Sequence, residues 1–160
     1  MKKAICTITL LLALGSFIPA ISQNKSAIEK EVKALAEEFR RAWDARDNDA
    51  LMACYGKPEG LIIVGGESLS LDTMRVRNQY YWSNRKDESW ANEKVNVIPL
   101  TDNSALMQIT FSGRYTWIPT GAIWEFKSSA FITSLVKKTD GKWKIVAHQN
   151  SGAGKQVNKP

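Results

Sequence analysis

The sequence predicts an α+β domain in which helices come first and long antiparallel strands follow. Between residues 26 and 47, apolar side chains recur at three- and four-residue steps, as on one face of a helix. From residue 95 onward, apolar and polar residues alternate, as in strands with one buried face. When helices and strands are segregated in this way along the chain, the helices pack on one face of the sheet that the strands form. A strongly bent sheet closed by a long helix encloses a cone, whose mouth is a natural ligand cavity.

The first helix is predicted to begin at Ser26, with Glu29 completing a capping box, and to end at Asp47 and Asn48. Its apolar stripe predicts which face packs on the sheet. The stripe consists of Ile28, Val32, Leu35, Ala36, Phe39, Ala42 and Trp43.

Two further helices are predicted around one short strand. Asp49 is the expected cap of a second helix over residues 51–55. Leu61–Val64 is an apolar run between glycines and suits a buried strand. Ser70 or Asp72 begins the third helix.

Four longer strands complete the predicted sheet, and turn residues separate them. The strands are predicted at 95–100, 105–116, 123–138 and 142–150, with turns at 101–103, 119–121 and 140–141. Asp140-Gly141 is a strong signal for a two-residue hairpin.

The N-terminus resembles a cleavable signal peptide. Lys2-Lys3 precedes the apolar run Ile5–Ile18, which is short for a membrane span. Residues 20–22 match a cleavage site and place the mature start at Gln23. The alternative is an uncleaved anchor. The sequence therefore predicts a secreted or periplasmic protein with no stable membrane insertion after cleavage, divided into a signal peptide (1–22), one domain (23–152) and a flexible polar tail (153–160).

Charge and cysteine content exclude several functions. The net charge of +6 would fall to +4 on removal of Lys2 and Lys3, and the basic residues are scattered, so no nucleic-acid partner is expected. After processing, Cys54 is the remaining cysteine, and its place on an apolar helix face predicts a buried, inert thiol. One histidine and one cysteine offer too few ligands for a metal site, and no cofactor is predicted.

Two segments resemble the SnoaL-like branch of the nuclear transport factor 2-like superfamily. These are AWDARDNDALMACY, where Trp43 and Asp47 form a Trp-x-x-x-Asp pattern, and AFITSLVKKTDGKWKIVAHQNS, the final hairpin. The resemblance spans residues 26–151. It implies a cone of three helices around a bent, largely antiparallel sheet, commonly dimeric through the outer face of the sheet. Members include ketosteroid isomerases, dehydratases and polyketide cyclases.

The steroid-isomerase residues implied by this resemblance are not matched. The family's helix tyrosine corresponds to Phe39, which has no hydroxyl. Its general base corresponds to Gly65 or Gly66, and Glu67 follows one or two positions late. Because glycine has no carboxylate for proton transfer, isomerase chemistry of this kind is disfavoured.

Strand alternation predicts that His148 points away from the cavity. Ala147, Gln149 and Ser151 share a face with Trp143 and are expected inside, whereas His148 falls on the other face with Lys144. His148 and Glu67 are therefore only weak catalytic candidates. The predicted ligand pocket comprises Trp43, Tyr55, Tyr81, Arg114, Tyr115, Trp124, Gln149 and Ser151.

Three functions remain open from the sequence. The favoured one is binding of a small apolar or amphipathic molecule without catalysis, because Tyr and Trp combine apolar surface with a polar group. The second is an isomerase, dehydratase or cyclase that uses a cavity acid–base group. The third is an association module, a homodimer through a sheet face that carries Val146 and Ile132.

Overall fold

A computed structural model describes residues 17–57, 62–64, 66–152 and 154–158. Within these residues, three helices and seven strands follow one another. They are α1 (Phe17–Asp44), α2 (Asn48–Ala53), β1 (Ile62–Val64), β2 (Glu67–Leu69), α3 (Leu71–Ser83), β3 (Arg85–Thr101), β4 (Ser104–Trp117), β5 (Ala122–Thr139), β6 (Lys142–Ser151) and β7 (Lys155–Gln156). Residues 1–16, which carry most of the predicted signal peptide, and Gly65 lie outside the described residues.

The strands form one mixed sheet in the order β2-β1-β6-β5-β4-β3. Neighbouring strands are antiparallel except β1 and β6, which are parallel. β7 pairs with β5 outside this order. The helices therefore pack on a largely antiparallel sheet, which confirms the predicted α+β architecture.

α1 buries the predicted stripe. Val32 and Ala36 are fully buried, and both belong to a core that also includes Met107, Val136 and Ile145 from the sheet. Hydrogen bonds also join α1 to β5 and β6: Glu31 accepts from Lys138 Nζ (2.7 Å) and from Trp143 Nε1 (2.6 Å). The long helix thereby closes one side of the bent sheet.

The bounds of α1 differ from the prediction. The helix begins at Phe17 rather than at the predicted cap Ser26, and it ends at Asp44. No residue between Phe17 and Ser26 interrupts the helix, so the predicted capping box lies within it.

Capping side chains fix the other two helices. Asp47 caps α2 by accepting a hydrogen bond from the Ala50 N–H at 2.9 Å, so Asp49, the predicted cap, lies inside the helix. Ser70 caps α3 by accepting from the Thr73 N–H at 3.1 Å, so of the two predicted starts, Ser70 and Asp72, the first is correct.

The hairpin turns lie where the sequence places them. Asp140 and Gly141 both have positive φ, of 50° and 75°, as a two-residue hairpin turn requires. The strands themselves are longer than predicted, and β3 starts at Arg85 rather than at Val95. Residues 85–94 are mostly polar, and their pairing with β4 makes them a strand.

Part of the C-terminal tail, which the sequence predicts to be flexible, forms the short strand β7. Lys155 pairs with Glu125 and Gln156 with Trp124. Beyond them, the Val157 N–H donates to the Ile123 carbonyl at 2.9 Å. The short strand was not predictable from its polar sequence, because its stability comes from pairing with β5.

Candidate functional site

A cavity of about 770 Å³ lies between α1, α3 and the concave side of the sheet. Its wall is mainly apolar and aromatic, with polar groups at intervals. The lining residues are Phe39, Arg40, Trp43, Asp44, Leu51, Tyr55, Val64, Leu69, Met74, Arg77, Asn78, Tyr81, Arg85, Trp90, Ile109, Phe111, Phe126, Ile132, His148, Asn150, Ser151 and Gly152.

His148 faces this cavity, so the predicted outward orientation was wrong. Ser134 pairs with His148 and Leu135 with Ala147, but Val136 pairs with Ile145. Val146 is therefore an extra residue in β6, and this bulge reverses the faces of His148 and Gln149, which follow it. The same shift turns Gln149 outward, where it is exposed.

The His148 ring is buried among three other side chains. Its Nδ1 lies 3.3 Å from the Tyr55 hydroxyl and 3.4 Å from Ser134 Oγ. The Phe39 ring lies beside it at 5.9 Å between centroids. Burial lowers the pKa of His148 to about 4, so the imidazole is neutral at pH 7.

Tyr55 supplies the buried hydroxyl that Phe39 lacks. The Ile145 N–H donates to the Cys54 carbonyl, and the Gly56 N–H donates to the Ile145 carbonyl, each at 2.9 Å, which aligns this segment with β6. Burial raises the pKa of Tyr55 well above its usual range, so its hydroxyl stays protonated. The site thus combines a neutral imidazole with neutral hydroxyls.

The predicted pocket residues divide into two groups. Trp43, Tyr55, Tyr81 and Ser151 line the cavity. Of the consecutive rings Tyr80, Tyr81 and Trp82, only Tyr81 does so, because Tyr80 is exposed and Trp82 lies in the core.

The other four predicted pocket residues do not line the cavity. Gln149 and Arg114 are exposed. Tyr115 is buried behind the wall, with its ring centroid 4.1 Å from the Arg85 guanidinium carbon. Trp124 pairs with Gln156 of β7. The pairing between β4 and β5 shifts after Phe111, so the side chains beyond this point do not face the cavity in the order that simple alternation predicts.

Comparisons with known structures show which fold this chain shares. The hexachlorocyclohexane dehydrochlorinase LinA-type3 from Novosphingobium barchaimii superposes with a TM-score of 0.71 at 12% identity, over 85% of this chain and 94% of that one. A ketosteroid isomerase-like protein from Erwinia carotovora gives 0.63 at 17% identity, over 77% and 94%. An NTF-2 like protein of unknown function from Shewanella oneidensis gives 0.55 at 17% identity, over 76% and 97%.

The chain has the nuclear transport factor 2-like fold. The resemblance seen in the sequence is thereby confirmed at the level of architecture. No known family profile matches the sequence, and no curated protein matches it significantly. At these identities the likeness establishes the fold alone, so the chemistry of the site must come from its own residues.

Within this nuclear transport factor 2-like cone, Glu67 is not part of the wall. It is exposed on β2 and pairs with Arg77 Nη1 at 2.9 Å. Arg77 lines the cavity and also donates to the Tyr81 hydroxyl, at 3.2 Å from Nε and 3.1 Å from Nη2. The hydrogen bond with Tyr81 and the pairing with Glu67 raise the pKa of Arg77.

Sequence reasoning missed the arginines and amides of the cavity wall. Arg40 and Asp44 sit at the edge of the α1 stripe and pair at 3.1 Å. Arg85 begins β3, whose first residues are mostly polar and lack the alternation of apolar and polar residues that predicts a strand. Asn78 is buried on α3, and its amide lies 3.4 Å from Asn48 Oδ1. Only the periodic spacing of α1 could have indicated Arg40, as the neighbour of Phe39.

The described residues contain no group of three or more His, Cys, Asp or Glu placed to hold a metal ion. Cys54 is buried, and burial raises the pKa of its thiol to about 11. Over the same part of the chain, no helix has the length and apolar character needed to cross a membrane.

Proposed function

We propose that this protein binds a small apolar or amphipathic molecule inside the cone. The observation that carries this proposal is the cavity of about 770 Å³, a size typical of small-molecule sites. Its wall presents large rings together with a few converging polar groups, as ligand pockets do. Binding would bury the apolar body of the ligand, and the polar groups would set its orientation.

The test uses an uncharged fluorescent probe, N-phenyl-1-naphthylamine, whose emission rises in an apolar site. Ile132→Trp adds a ring to the cavity wall and should weaken probe binding at least tenfold. Ile118→Trp places the same ring at an exposed position just after β4, outside the cavity, and serves as the matched control. Equal affinity in both variants and the wild type would rule out binding in the cone.

A second candidate function is proton transfer at His148, because the ring lines the cavity. Two observations favour binding over catalysis. A pKa of about 4 makes a weak general base at neutral pH. Among the described residues, the hydrogen-bond partners of Nδ1 are hydroxyls and not a carboxylate.

Solvent-exchange NMR separates these two functions. Ligands extracted from the native protein would be returned to it in D2O, and their C–H signals followed. Deuterium uptake that disappears in His148→Gln would support catalysis. Unchanged signals with retained binding would support the binding function.

We also propose that residues 1–22 direct secretion to the periplasm or medium. N-terminal sequencing of the exported protein should begin at Gln23. Recovery of an intact N-terminus from the cytoplasm would contradict this proposal.

We further propose a homodimer through the outer face of the sheet. Ile98 and Leu106 are paired neighbours on β3 and β4, with 59% and 37% of their surface exposed. Ile132, expected on that face, lines the cavity instead. Sedimentation should give a dimer in the wild type and a monomer for Leu106→Lys, and a wild-type monomer would contradict the proposal.

A further inference from the structure

Two of the three cavity arginines are each matched by a carboxylate. Arg40 Nε lies 3.1 Å from Asp44 Oδ2, and Arg77 Nη1 lies 2.9 Å from Glu67 Oε2. Neither pair leaves a net charge for a ligand to neutralise.

The third arginine, Arg85, shares its carboxylate with a second arginine. Its Nη1 lies 3.4 Å from Glu88 Oε1, while Arg46 Nη2 lies 3.2 Å from Glu88 Oε2. Trp90 Nε1 donates to the same Oε1 at 2.5 Å. Two guanidinium groups therefore face one carboxylate, and this cluster carries one net positive charge.

Aromatic rings hold the Arg85 guanidinium at the cavity wall. Its central carbon lies 4.1 Å from the ring centroid of Tyr115, 4.8 Å from that of Tyr81 and 5.9 Å from that of Trp90. Rings stacked on a guanidinium occupy its faces and leave its N–H edge for hydrogen bonds. The stacking thus explains the position of Arg85 but does not satisfy its donors.

One of those donors is unsatisfied. The Arg85 side chain is 10% exposed, and its Nε is buried without an acceptor among the described residues. A buried donor left without an acceptor is destabilising, because it has lost its hydrogen bonds to water without replacement. The Nε edge of a guanidinium is one that binds both oxygens of a carboxylate.

We propose that Arg85 binds the anionic group of an organic monoanion, most simply a carboxylate, through this Nε edge. This inference rests on the proposed binding function and specifies its ligand class. Arg85 lines the cavity, and a ligand carboxylate bound by its guanidinium would give the Nε donor an acceptor. The single net charge matches a monoanion better than a phosphate dianion. The rings of Trp90, Phe111 and Phe126, which also line the cavity, contact the apolar body.

The test compares two probes that share one ring system. Binding of 2-naphthoate and of neutral 2-naphthylmethanol is measured by tryptophan quenching and calorimetry. We expect the wild type to bind the carboxylate at least tenfold more tightly than the alcohol. Arg85→Met should lose this preference and still bind the alcohol.

Matched variants separate the possible results. Arg114→Met removes an exposed arginine outside the cavity and should leave the preference intact. Arg85→Lys keeps the charge without the planar fork, and it should retain only part of the preference. It also tests the assignment if Arg85→Met does not fold.

Each remaining outcome is decisive. Equal binding of both probes by the wild type would overturn the anion site and leave the proposed binding function in place. If neither probe binds, both the anion site and the proposed binding function would be overturned. A preference that persists in Arg85→Met, or in full in Arg85→Lys, would overturn the assignment to the Arg85 fork.

Discussion

The hydroxyl oxygen of Tyr55 and the Nδ1 atom of His148 lie 3.3 Å apart inside the cone, although 93 residues separate them in the chain. Tyr55 follows α2, and His148 lies in the bulged part of β6. Their meeting depends on the backbone hydrogen bonds of Cys54 and Gly56 to Ile145. The polar side of the cavity is therefore built by the tertiary fold and not by a local motif.

His148 should make stability depend on pH between about 6.5 and 4. Because burial lowers its pKa from 6.5 to about 4, the unfolded chain binds a proton in this window that the folded chain does not. The free energy of unfolding should fall as the pH drops, by roughly 3 kcal/mol at about 1.4 kcal/mol per pKa unit. Urea denaturation at several pH values measures this slope.

The control for this slope is His148→Gln, which should remove it. Glu31 affects stability at lower pH. Hydrogen bonds from Lys138 and Trp143 lower its pKa below 4.5, so its contribution to the free energy of unfolding is lost only as the pH falls further. An identical slope in the wild type and His148→Gln would show that the ring is not buried.

Tyr55 and His148 should be energetically coupled. Removing the hydroxyl in Tyr55→Phe takes away one hydrogen bond to Nδ1 and should cost about 1 kcal/mol. A double-mutant cycle with His148→Gln should give a coupling of about 0.5–1.5 kcal/mol by chemical denaturation. Strict additivity of the two substitutions would show that the atoms do not interact.

Gly113→Ala should disturb the cavity wall by displacing Trp90. These residues are paired across β3 and β4, and a Cβ at position 113 would lie 2.2 Å from Trp90 Cε3. Because the ring must move, we expect a loss of about 1–3 kcal/mol in stability. Thermal denaturation measures the loss, and Ser112→Ala is the neighbouring control. A melting temperature equal to that of Ser112→Ala would contradict this packing.

Cys54 should resist alkylation in the folded protein. Its thiol is buried and its pKa is raised to about 11, so little reactive thiolate forms at pH 8. In Cys6→Ser, where Cys54 is the sole thiol, iodoacetamide should react at least a hundredfold faster in urea than in buffer. Comparable rates under the two conditions would mean that the thiol is accessible.

The sequence predicted the parts of the fold that depend on local pattern. The helical period of α1 identified its buried stripe, and Asp140-Gly141 marked the last hairpin. The start of α3 was narrowed to Ser70 or Asp72, because a capping side chain acts within one turn. Each of these features is fixed by residues close together in the chain.

The orientation of the site residues could not be predicted in the same way. Alternation along β6 assigned Gln149 to the cavity and His148 to the outside, and one bulged residue, Val146, reversed both. A bulge is defined by pairing with another strand, so β6 alone does not reveal it. Arg85 was missed for a related reason, since pairing with β4 makes its polar segment a strand.

The pairing of β7 with β5 has a practical consequence for experiments. Gly154 lies beneath the Phe126 ring, where an added Cβ would come within 2.5 Å of Cζ, and Phe126 lines the cavity. Gly154 and the β7 strand that follows it thus lie behind part of the cavity wall. An affinity tag or a truncation at this terminus would perturb the wall, so measurements of ligand affinity should use an untagged C-terminus.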